Sequence, residues 1–272
     1  MSFSSRLRNV QRSNASLLCI GLDTDIRKVP KSLLSQADPV TAFNEAIIDA
    51  TKDLVCAYKL NLAFYESLGE RSWVTIRKTL AHVPAGIITI GDAKRGDIGN
   101  TSEMYAKALF SSHSFSACTV HPYMGKDSVI PFAGDPDRGV FVLALTSNAG
   151  ARDFQYLKVR GKPLYAHVIA RVKKWNTADN FGLVVGATRP QQLRETRALV
   201  PHMPLLIPGI GAQGGDLRSA VRYGCDAAGE MAVINASRSI IYASGGVDFA
   251  EAARRAAFAL REEINSYRAR FF

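Results

Sequence analysis

Short, continuous apolar runs alternate along the chain with longer stretches in which apolar residues recur at helical spacing. A short apolar run bounded by turn residues is typical of a strand that is buried on both faces. The eight runs predicted to be strands are residues 17–22, 54–60, 86–91, 117–121, 139–146, 182–186, 204–208 and 229–234. The helical patterns include residues 40–51, 63–81, 190–200 and 249–270.

Apolar strands separated by helices indicate a parallel sheet with both faces covered. Eight such strands in a chain of 272 residues favour a (β/α)8 TIM barrel, a fold that commonly takes about 250 residues. An open, doubly wound sheet is the alternative. Because no linker-like segment or change in composition divides the chain, we predict a single α/β barrel domain over residues 1–272.

Composition indicates a protein with a large core in a reducing compartment. Hydrophobic residues make up 47% of the chain, and no apolar run approaches the length of a membrane helix, which is about 20 residues. The N-terminal segment lacks the apolar stretch and small-residue cleavage site of a signal peptide. The four cysteines are scattered without a CxxC pair, which predicts buried free thiols. We therefore expect a cytoplasmic protein without a membrane partner.

The charge balance favours anionic ligands. The chain has 34 Lys and Arg against 24 Asp and Glu, a formal net charge of +10. Nucleic acid is one possible anionic partner, but the basic residues are spread along the chain, and the densest cluster, residues 171–174, is short. We therefore predict no nucleic-acid binding. The five histidines show no HxxxH or HxH spacing, and we predict no metal site.

The segment GDAKRGDIGNT, residues 91–101, places charged residues directly after an apolar strand. Side chains alternate between the two faces of a strand, so Asp92 and Lys94 share a face with Ile88 and Ile90. If the isoleucines face the barrel interior, the two charged groups point inward at its C-terminal mouth, where barrel active sites are built. Asp97 follows in the next loop. A salt bridge at a strand end is the competing interpretation.

Two further charged residues favour a functional cluster over an isolated salt bridge. Lys59 lies at the end of the second predicted strand, and Asp23 follows the first. With Asp92, Lys94 and Asp97 they place five ionisable groups at the ends of three consecutive strands. Burying such groups is costly unless they are paired, which makes a chance accumulation improbable.

A glycine-rich segment near the C-terminus indicates a phosphate site. PGIGAQGGD, residues 208–216, has glycines at 209, 211 and 214 with GxGxxG spacing. A dinucleotide site fits poorly, because the motif comes late and no acidic residue closes the following strand. In a barrel, these glycines follow the seventh strand and NASR, residues 235–238, follows the eighth. The loops after these two strands form the usual phosphate site of such barrels, and the Arg238 guanidinium suits a phosphate dianion.

The segments DAKRGDIGNT, AYKLN, TSNAGA, PGIGAQGGD and NASRSI together resemble orotidine 5′-phosphate decarboxylases, especially the bacterial branch that carries DAKRGDIGNT. The resemblance extends from about residue 21 to about residue 240. The DxKxxD element alone also occurs in sugar-phosphate relatives, whereas the full set is specific. The resemblance implies a carboxy-lyase of pyrimidine biosynthesis that converts orotidine 5′-phosphate to UMP and CO2 without a cofactor, and that works as a homodimer with shared active sites.

The resemblance also implies roles for individual residues. Lys94 protonates C6 of the pyrimidine, Asp92 lies beside the substrate carboxylate, and Lys59 and Asp97 complete an alternating array. Asp97 reaches into the neighbouring subunit's site, as do Ile98 and Thr101. The substrate-binding residues implied are Asp23 at the ribose, Ser147 at the pyrimidine edge, Gln213 and Arg238 at the phosphate, and Ile98, Thr101, Pro208 and Ser237. Many members have glycine where this chain has Ser237, so which backbone N–H there faces the phosphate stays open.

Two alternatives belong to other classes of function. A magnesium-dependent sugar-phosphate decarboxylase or aldolase of the same superfamily would carry an acidic metal ligand where this chain has Lys59. A noncatalytic nucleotide-phosphate binder would lack Lys94 or one of the aspartates, and all are present. His121 ends a predicted strand, where it could contact the ligand or be a buried structural histidine.

Overall fold

Eight parallel strands close into a barrel in the computed structural model, which describes residues 1–210 and 215–272. Each strand pairs with the next along the chain, and the first pairs with the last. This confirms the predicted (β/α)8 TIM barrel. The barrel strands are β1 (Leu18–Gly21), β2 (Ala57–Asn61), β3 (Ile88–Arg95), β4 (Ala117–Val120), β5 (Gly139–Leu145), β6 (Phe181–Val185), β7 (Leu205–Pro208) and β8 (Ala232–Ala236).

Helices surround the barrel and connect its strands. They are α1 (Phe3–Ser13), α2 (Pro39–Thr51), α3 (Leu62–Glu66), α4 (Ser72–His82), α5 (Gly99–Lys107), α6 (Lys126–Val129), α7 (Ala151–Phe154), α8 (Leu164–Trp175), α9 (Pro190–Leu199), α10 (Leu217–Gly224), α11 (Arg238–Ile241) and α12 (Phe249–Phe271). Short 3-10 turns cover Ile26–Lys28, Lys31–Leu33, Gly69–Arg71 and Ile130–Ala133, and a π turn covers Ala108–Ser112. Lys158–Val159 and Lys162–Pro163 form a small antiparallel hairpin outside the barrel.

Several boundaries differ from the sequence prediction. The helix expected over residues 63–81 is divided into α3 and α4, because Gly69 turns the chain with a φ of 63°. The eighth strand begins at Ala232 rather than at residue 229, because Gly229 and Met231 both adopt positive φ in the preceding turn. The third strand continues four residues beyond Gly91, to Arg95.

The apolar core has two layers. The inner layer fills the barrel and includes Ile88 and Ile90, as the strand alternation predicts. The outer layer packs the other faces of the strands against the helices. All four cysteines are buried free thiols, as predicted, and burial raises the pKa of Cys56 to about 12.

Helix α1 closes the N-terminal end of the barrel. Phe3 packs edge-on against Phe141 inside the barrel, with ring centroids 5.8 Å apart. The buried Gln11 amide donates to the Ala232 carbonyl at 2.7 Å and accepts the Met231 N–H at 2.9 Å. This end is therefore covered, and the carboxyl ends of the strands form the open mouth. In the described part of the chain, no helix combines the length and apolar character needed to cross a membrane.

Candidate active site

A cavity of about 330 Å³ opens at the carboxyl ends of the barrel strands. Charged and amide side chains surround one part of it, and Leu143, Val184 and Leu206 supply apolar surface from the barrel interior. Its other described lining residues are Asp23, Lys59, Asn61, Asp92, Lys94, Thr119, Thr146, Ser147, Asn148, Pro208, Gly209, Ile210, Asn235, Ser237 and Arg238.

Lys59 lies between two carboxylates within this cavity. Its Nζ is 3.0 Å from Asp92 Oδ2 and 3.4 Å from Asp23 Oδ1. The strand register explains the arrangement, because Lys59 pairs with Gly21 of β1 on one side and with Ile90 of β3 on the other. The three charged residues thus come together from the adjacent ends of β1, β2 and β3.

Burial and charge oppose each other in this cluster. The Lys59 side chain is only 4% exposed, and burial alone would lower the pKa of its ammonium, but Asp23 and Asp92 outweigh that effect and hold the pKa above its ordinary value. Burial likewise would raise the pKa of Asp92, but Lys59 and Lys94 hold it well below the ordinary carboxyl value. Lys59 and Asp92 are therefore both charged at neutral pH.

Lys94 completes the array through a bulge rather than through simple strand alternation. Its Nζ lies 2.7 Å from Asp92 Oδ1, and its side chain is 49% exposed to the cavity mouth. Strand β3 pairs with β4 at Gly91 and again at Arg95, with an irregular register between them. Lys94 lies in that interval with a φ of 48°. Strand alternation thus explains the direction of the Asp92 side chain, whereas the bulged backbone determines the direction of the Lys94 side chain.

Four further residues that were predicted for the site lie at the same mouth. Ser147, Pro208, Ser237 and Arg238 line the cavity. The Ser237 hydroxyl donates to the Gly21 carbonyl at 2.8 Å and so ties the end of β8 to the end of β1. Arg238 is exposed and begins α11.

The glycine segment is described only at its two ends. Gly209 adopts a φ of 102°, a backbone conformation that favours glycine. The Gly215 N–H donates to the Gly209 carbonyl at 3.1 Å, which holds the two ends together. Gly211, Gly214 and the predicted phosphate ligand Gln213 lie outside the described residues.

Three predicted site residues lie outside the cavity of this chain. Asp97 takes no part in the array, since its Oδ1 accepts the backbone N–H of Ile98 at 2.8 Å. Ile98 is 60% exposed, and Thr101 is exposed on α5. His121 does not line the described part of the cavity either, and its ring packs against Gly96.

Several residues that line the mouth were not predicted from the sequence. Asn61 follows Lys59 by two positions on β2 and therefore shares its face, a signal that alternation could have provided. Asn235 opens the NASR segment. Thr119 is one residue of an apolar strand, and its contact with Asp92 follows from the pairing of β3 with β4. Thr146 and Asn148 flank the predicted Ser147.

Comparison with known proteins identifies the family. The sequence profile of the Orotidine 5′-phosphate decarboxylase / HUMPS family matches residues 16–256. The chain belongs to this family. An orotidine 5′-phosphate decarboxylase from Dehalococcoides mccartyi is 46% identical over 275 aligned positions that cover 100% of both chains. One from Ralstonia nicotianae is 48% identical over 272 positions, covering 98% of this chain and 100% of the relative.

Solved structures of the family share the fold. The orotidine monophosphate decarboxylase of Leishmania donovani superposes with a TM-score of 0.86 at 39% identity, covering 99% of this chain and 100% of the other.

Among residues 1–210 and 215–272, no three His, Cys, Asp or Glu side chains are grouped to hold a metal ion. Within this family fold, Lys59 supplies the cation that faces the Asp23 and Asp92 carboxylates.

Proposed function

We propose that this chain converts orotidine 5′-phosphate to UMP and CO2 in pyrimidine biosynthesis. The observation that carries the proposal is the array of Asp23, Lys59, Asp92 and Lys94 at the mouth of a barrel of this family. The array provides two ammonium groups and two carboxylates at fixed places beside the apolar surface of the cavity. Such a site can stabilise charge that develops on a bound ring.

The cavity can hold the substrate in one orientation. The phosphate lies at the end formed by Gly209, Ser237 and Arg238, and Gln213 is proposed as a further ligand. The ribose hydroxyls lie at Asp23, and the pyrimidine edge faces Ser147. The apolar floor of Leu143, Val184 and Leu206 supports this orientation, because a flat ring can pack on it while the polar groups satisfy its edges.

Lys94 is the catalytic acid of the proposed reaction. The bond between C6 and the carboxylate breaks, its electron pair stays on C6, and CO2 departs. The Lys94 ammonium stabilises the carbanion and then transfers a proton to C6, and the amine regains a proton from water. A fixed ammonium is suited to both steps, because it requires no reorganisation as the charge develops.

Asp92 and Lys59 give the site its electrostatic character. Asp92 lies beside the substrate carboxylate, and two unit charges 4 Å apart repel by about 4 kcal/mol at an effective dielectric constant near 20. That repulsion disappears as neutral CO2 forms. Lys59 holds Asp92 ionised and in place, which its buried ion pair supports. Binding energy at the phosphate keeps the substrate in this environment.

We further propose that the active unit is a homodimer with shared sites. Asp97, Ile98 and Thr101 then reach the partner's cavity, where Asp97 completes the alternating array. The exposed apolar side chains of Ile98, Met104, Tyr123 and Met124 support an interface at this surface, with exposures of 60%, 51%, 84% and 47%. Helix α5, which carries Met104, is joined to α6 by the hydrogen bond from the Ser102 hydroxyl to the Ser128 carbonyl.

The remaining elements of the proposal concern the context of the reaction. The chain acts as a single barrel domain in the cytoplasm, without a cofactor, a membrane or nucleic acid as partner. The chemistry supports the absence of a cofactor, because Lys94 supplies the proton and Lys59 supplies the buried positive charge.

The experiment that tests the proposal mixes purified protein with orotidine 5′-phosphate in the presence of EDTA and follows the ultraviolet absorbance of the substrate. We expect the absorbance to fall as UMP forms. Failure to consume the substrate, with or without added magnesium, would refute the proposed reaction. Consumption that begins only after magnesium is added would refute metal-free catalysis.

A further inference from the structure

We propose that Thr119 is a positioning residue that sets both the Lys94 backbone and the Asp92 carboxylate for the reaction. The inference rests on the proposed function. Thr119 lies on β4, is 1% exposed and faces the bulge of β3 at the cavity. Its hydroxyl contacts both residues: Oγ1 donates to Asp92 Oδ1 at 2.9 Å and accepts the Lys94 N–H at 3.0 Å.

The register of the two strands explains why this hydroxyl is needed. Gly91 pairs with Cys118 and Arg95 pairs with Val120. Three residues of β3 therefore face the single residue Thr119 of β4. Such a bulge interrupts the ladder of backbone hydrogen bonds, and a buried N–H without a partner is costly. The Thr119 hydroxyl takes the place of a strand carbonyl for the Lys94 N–H.

Lys94 also has a backbone conformation that must be held. Its φ of 48° lies in the left-handed region, which side-chain-bearing residues rarely adopt and which persists only where the surrounding structure stabilises it. The hydrogen bond from the Lys94 N–H to Thr119 does so at the residue that carries the proposed acid.

A hydroxyl can do both tasks at once because it donates one hydrogen bond while its lone pairs accept another. Valine has nearly the same shape and can do neither. Serine keeps both hydrogen bonds and loses only a methyl group. The series Thr119→Val and Thr119→Ser thus separates the hydroxyl from the packing of the side chain.

Thr89 provides a matched control on the same pair of strands. Its Oγ1 accepts the Ser116 N–H at 3.0 Å, and the side chain is 7% exposed. It lies toward the N-terminal ends of β3 and β4, on the far side of Ile90 from Asp92, and does not line the cavity. Thr89→Val removes a buried hydroxyl that also bonds a backbone N–H across β3 and β4, without touching the array.

The experiment measures kcat and KM for orotidine 5′-phosphate, the Kd for UMP and the thermal unfolding midpoint of wild type and all three variants. We expect Thr119→Val to lower kcat by roughly 10- to 100-fold, since small misplacements of reacting groups have effects of this size. KM and the Kd for UMP should stay within about threefold, a change worth less than 1 kcal/mol. Thr119→Ser should keep kcat within about threefold of wild type, and Thr89→Val should do the same despite any loss of stability.

The outcomes that would overturn the inference differ from those that would overturn the proposed function. A Thr119→Val protein with wild-type kcat shows that the hydroxyl does not position the array. Equal losses of kcat in Thr119→Val and Thr89→Val show a general effect of strand stability. If Thr119→Val does not fold, Thr119→Ala is measured in its place. If neither folds while Thr119→Ser does, the role is structural. A wild-type protein that does not consume the substrate refutes the proposed function instead.

Discussion

Replacing Lys59 with methionine tests whether the buried ammonium holds the array together. Lys59→Met keeps most of the unbranched side chain and removes the terminal ammonium, so the Asp23 and Asp92 carboxylates lose the cation between them. The Lys59 and Asp92 side chains are 4% and 11% exposed. The effect should therefore be much larger than that of breaking a salt bridge at the surface.

The distances set the size of the effect. At an effective dielectric constant near 20, the Lys59 ammonium attracts Asp92 at 3.0 Å by about 5.5 kcal/mol and Asp23 at 3.4 Å by about 5 kcal/mol. Much of this is offset, because the variant no longer has to desolvate an ammonium. Breaking a buried pair by removing one partner costs about 3–5 kcal/mol, and we expect Lys59→Met to lose that much free energy of unfolding at neutral pH.

The loss should also depend on pH. The folded-state pKa of Asp92 is depressed, so its contribution to wild-type stability is fully present above its unfolded pKa, near 3.9, and is lost as the pH falls toward the depressed value. The raised pKa of Lys59 affects stability only at alkaline pH, where the contribution of the ammonium is lost as the pH rises. The difference in free energy of unfolding between wild type and Lys59→Met should therefore stay nearly constant from neutral pH down to about pH 4, and should narrow below that as the pH falls toward the depressed pKa of Asp92.

Urea unfolding at about pH 7.5 and about pH 2.5 measures both effects. Lys94→Met is the control, because Lys94 pairs with the same carboxylate but is 49% exposed, and exposed pairs contribute only about 0.2–1 kcal/mol. A loss below about 1 kcal/mol in Lys59→Met, or an equal loss in the two variants, would refute the electrostatic account of the array.

Three further predictions address individual roles. Lys94→Ala should abolish nearly all turnover while circular dichroism shows an intact fold, and a folded variant within about tenfold of wild type would exclude Lys94 as the acid. Arg238→Ala should lose about 1.5–3 kcal/mol of binding, roughly tenfold or more in kcat/KM, for orotidine 5′-phosphate but not for orotidine. Equal losses on both substrates would contradict a phosphate contact. Mixing equal amounts of inactive Asp97→Ala and Lys94→Ala should restore about a quarter of wild-type activity, because half the dimers are mixed and each has one intact site. Verified heterodimers without activity would show that Asp97 does not complete the partner's site.

The strands and the charged array were predictable because both follow from local patterns. Continuous apolar runs mark strands buried on two faces, and alternation along β3 places Asp92 beside the interior residue Ile90. Adjacent parallel strands end at one edge, so Asp23 and Lys59 had to meet Asp92. Helix α1 could also have been predicted, because Phe3, Leu7 and Val10 recur at helical spacing. These three side chains pack into the N-terminal end of the barrel.

The bulge of β3 could not be predicted from the sequence. Alternation alone would continue the strand smoothly through Lys94, whereas the structure pairs Arg95 with Val120 and turns Lys94 to positive φ. That register depends on how β4 packs beside β3, and only this pairing brings Thr119 to Asp92. The split between α3 and α4 is similar, because Gly69 ends the helical pattern through its backbone conformation.

Decarboxylation in D2O with EDTA tests most directly the central claim, that Lys94 protonates C6 after CO2 leaves without help from a metal. The account predicts that wild-type protein forms UMP with deuterium at C6, seen as loss of the H6 resonance in the proton NMR spectrum of the product. Folded Lys94→Ala protein should form almost none. UMP that carries ordinary hydrogen rather than deuterium at C6, or UMP that forms only after a metal ion is restored, would contradict the account.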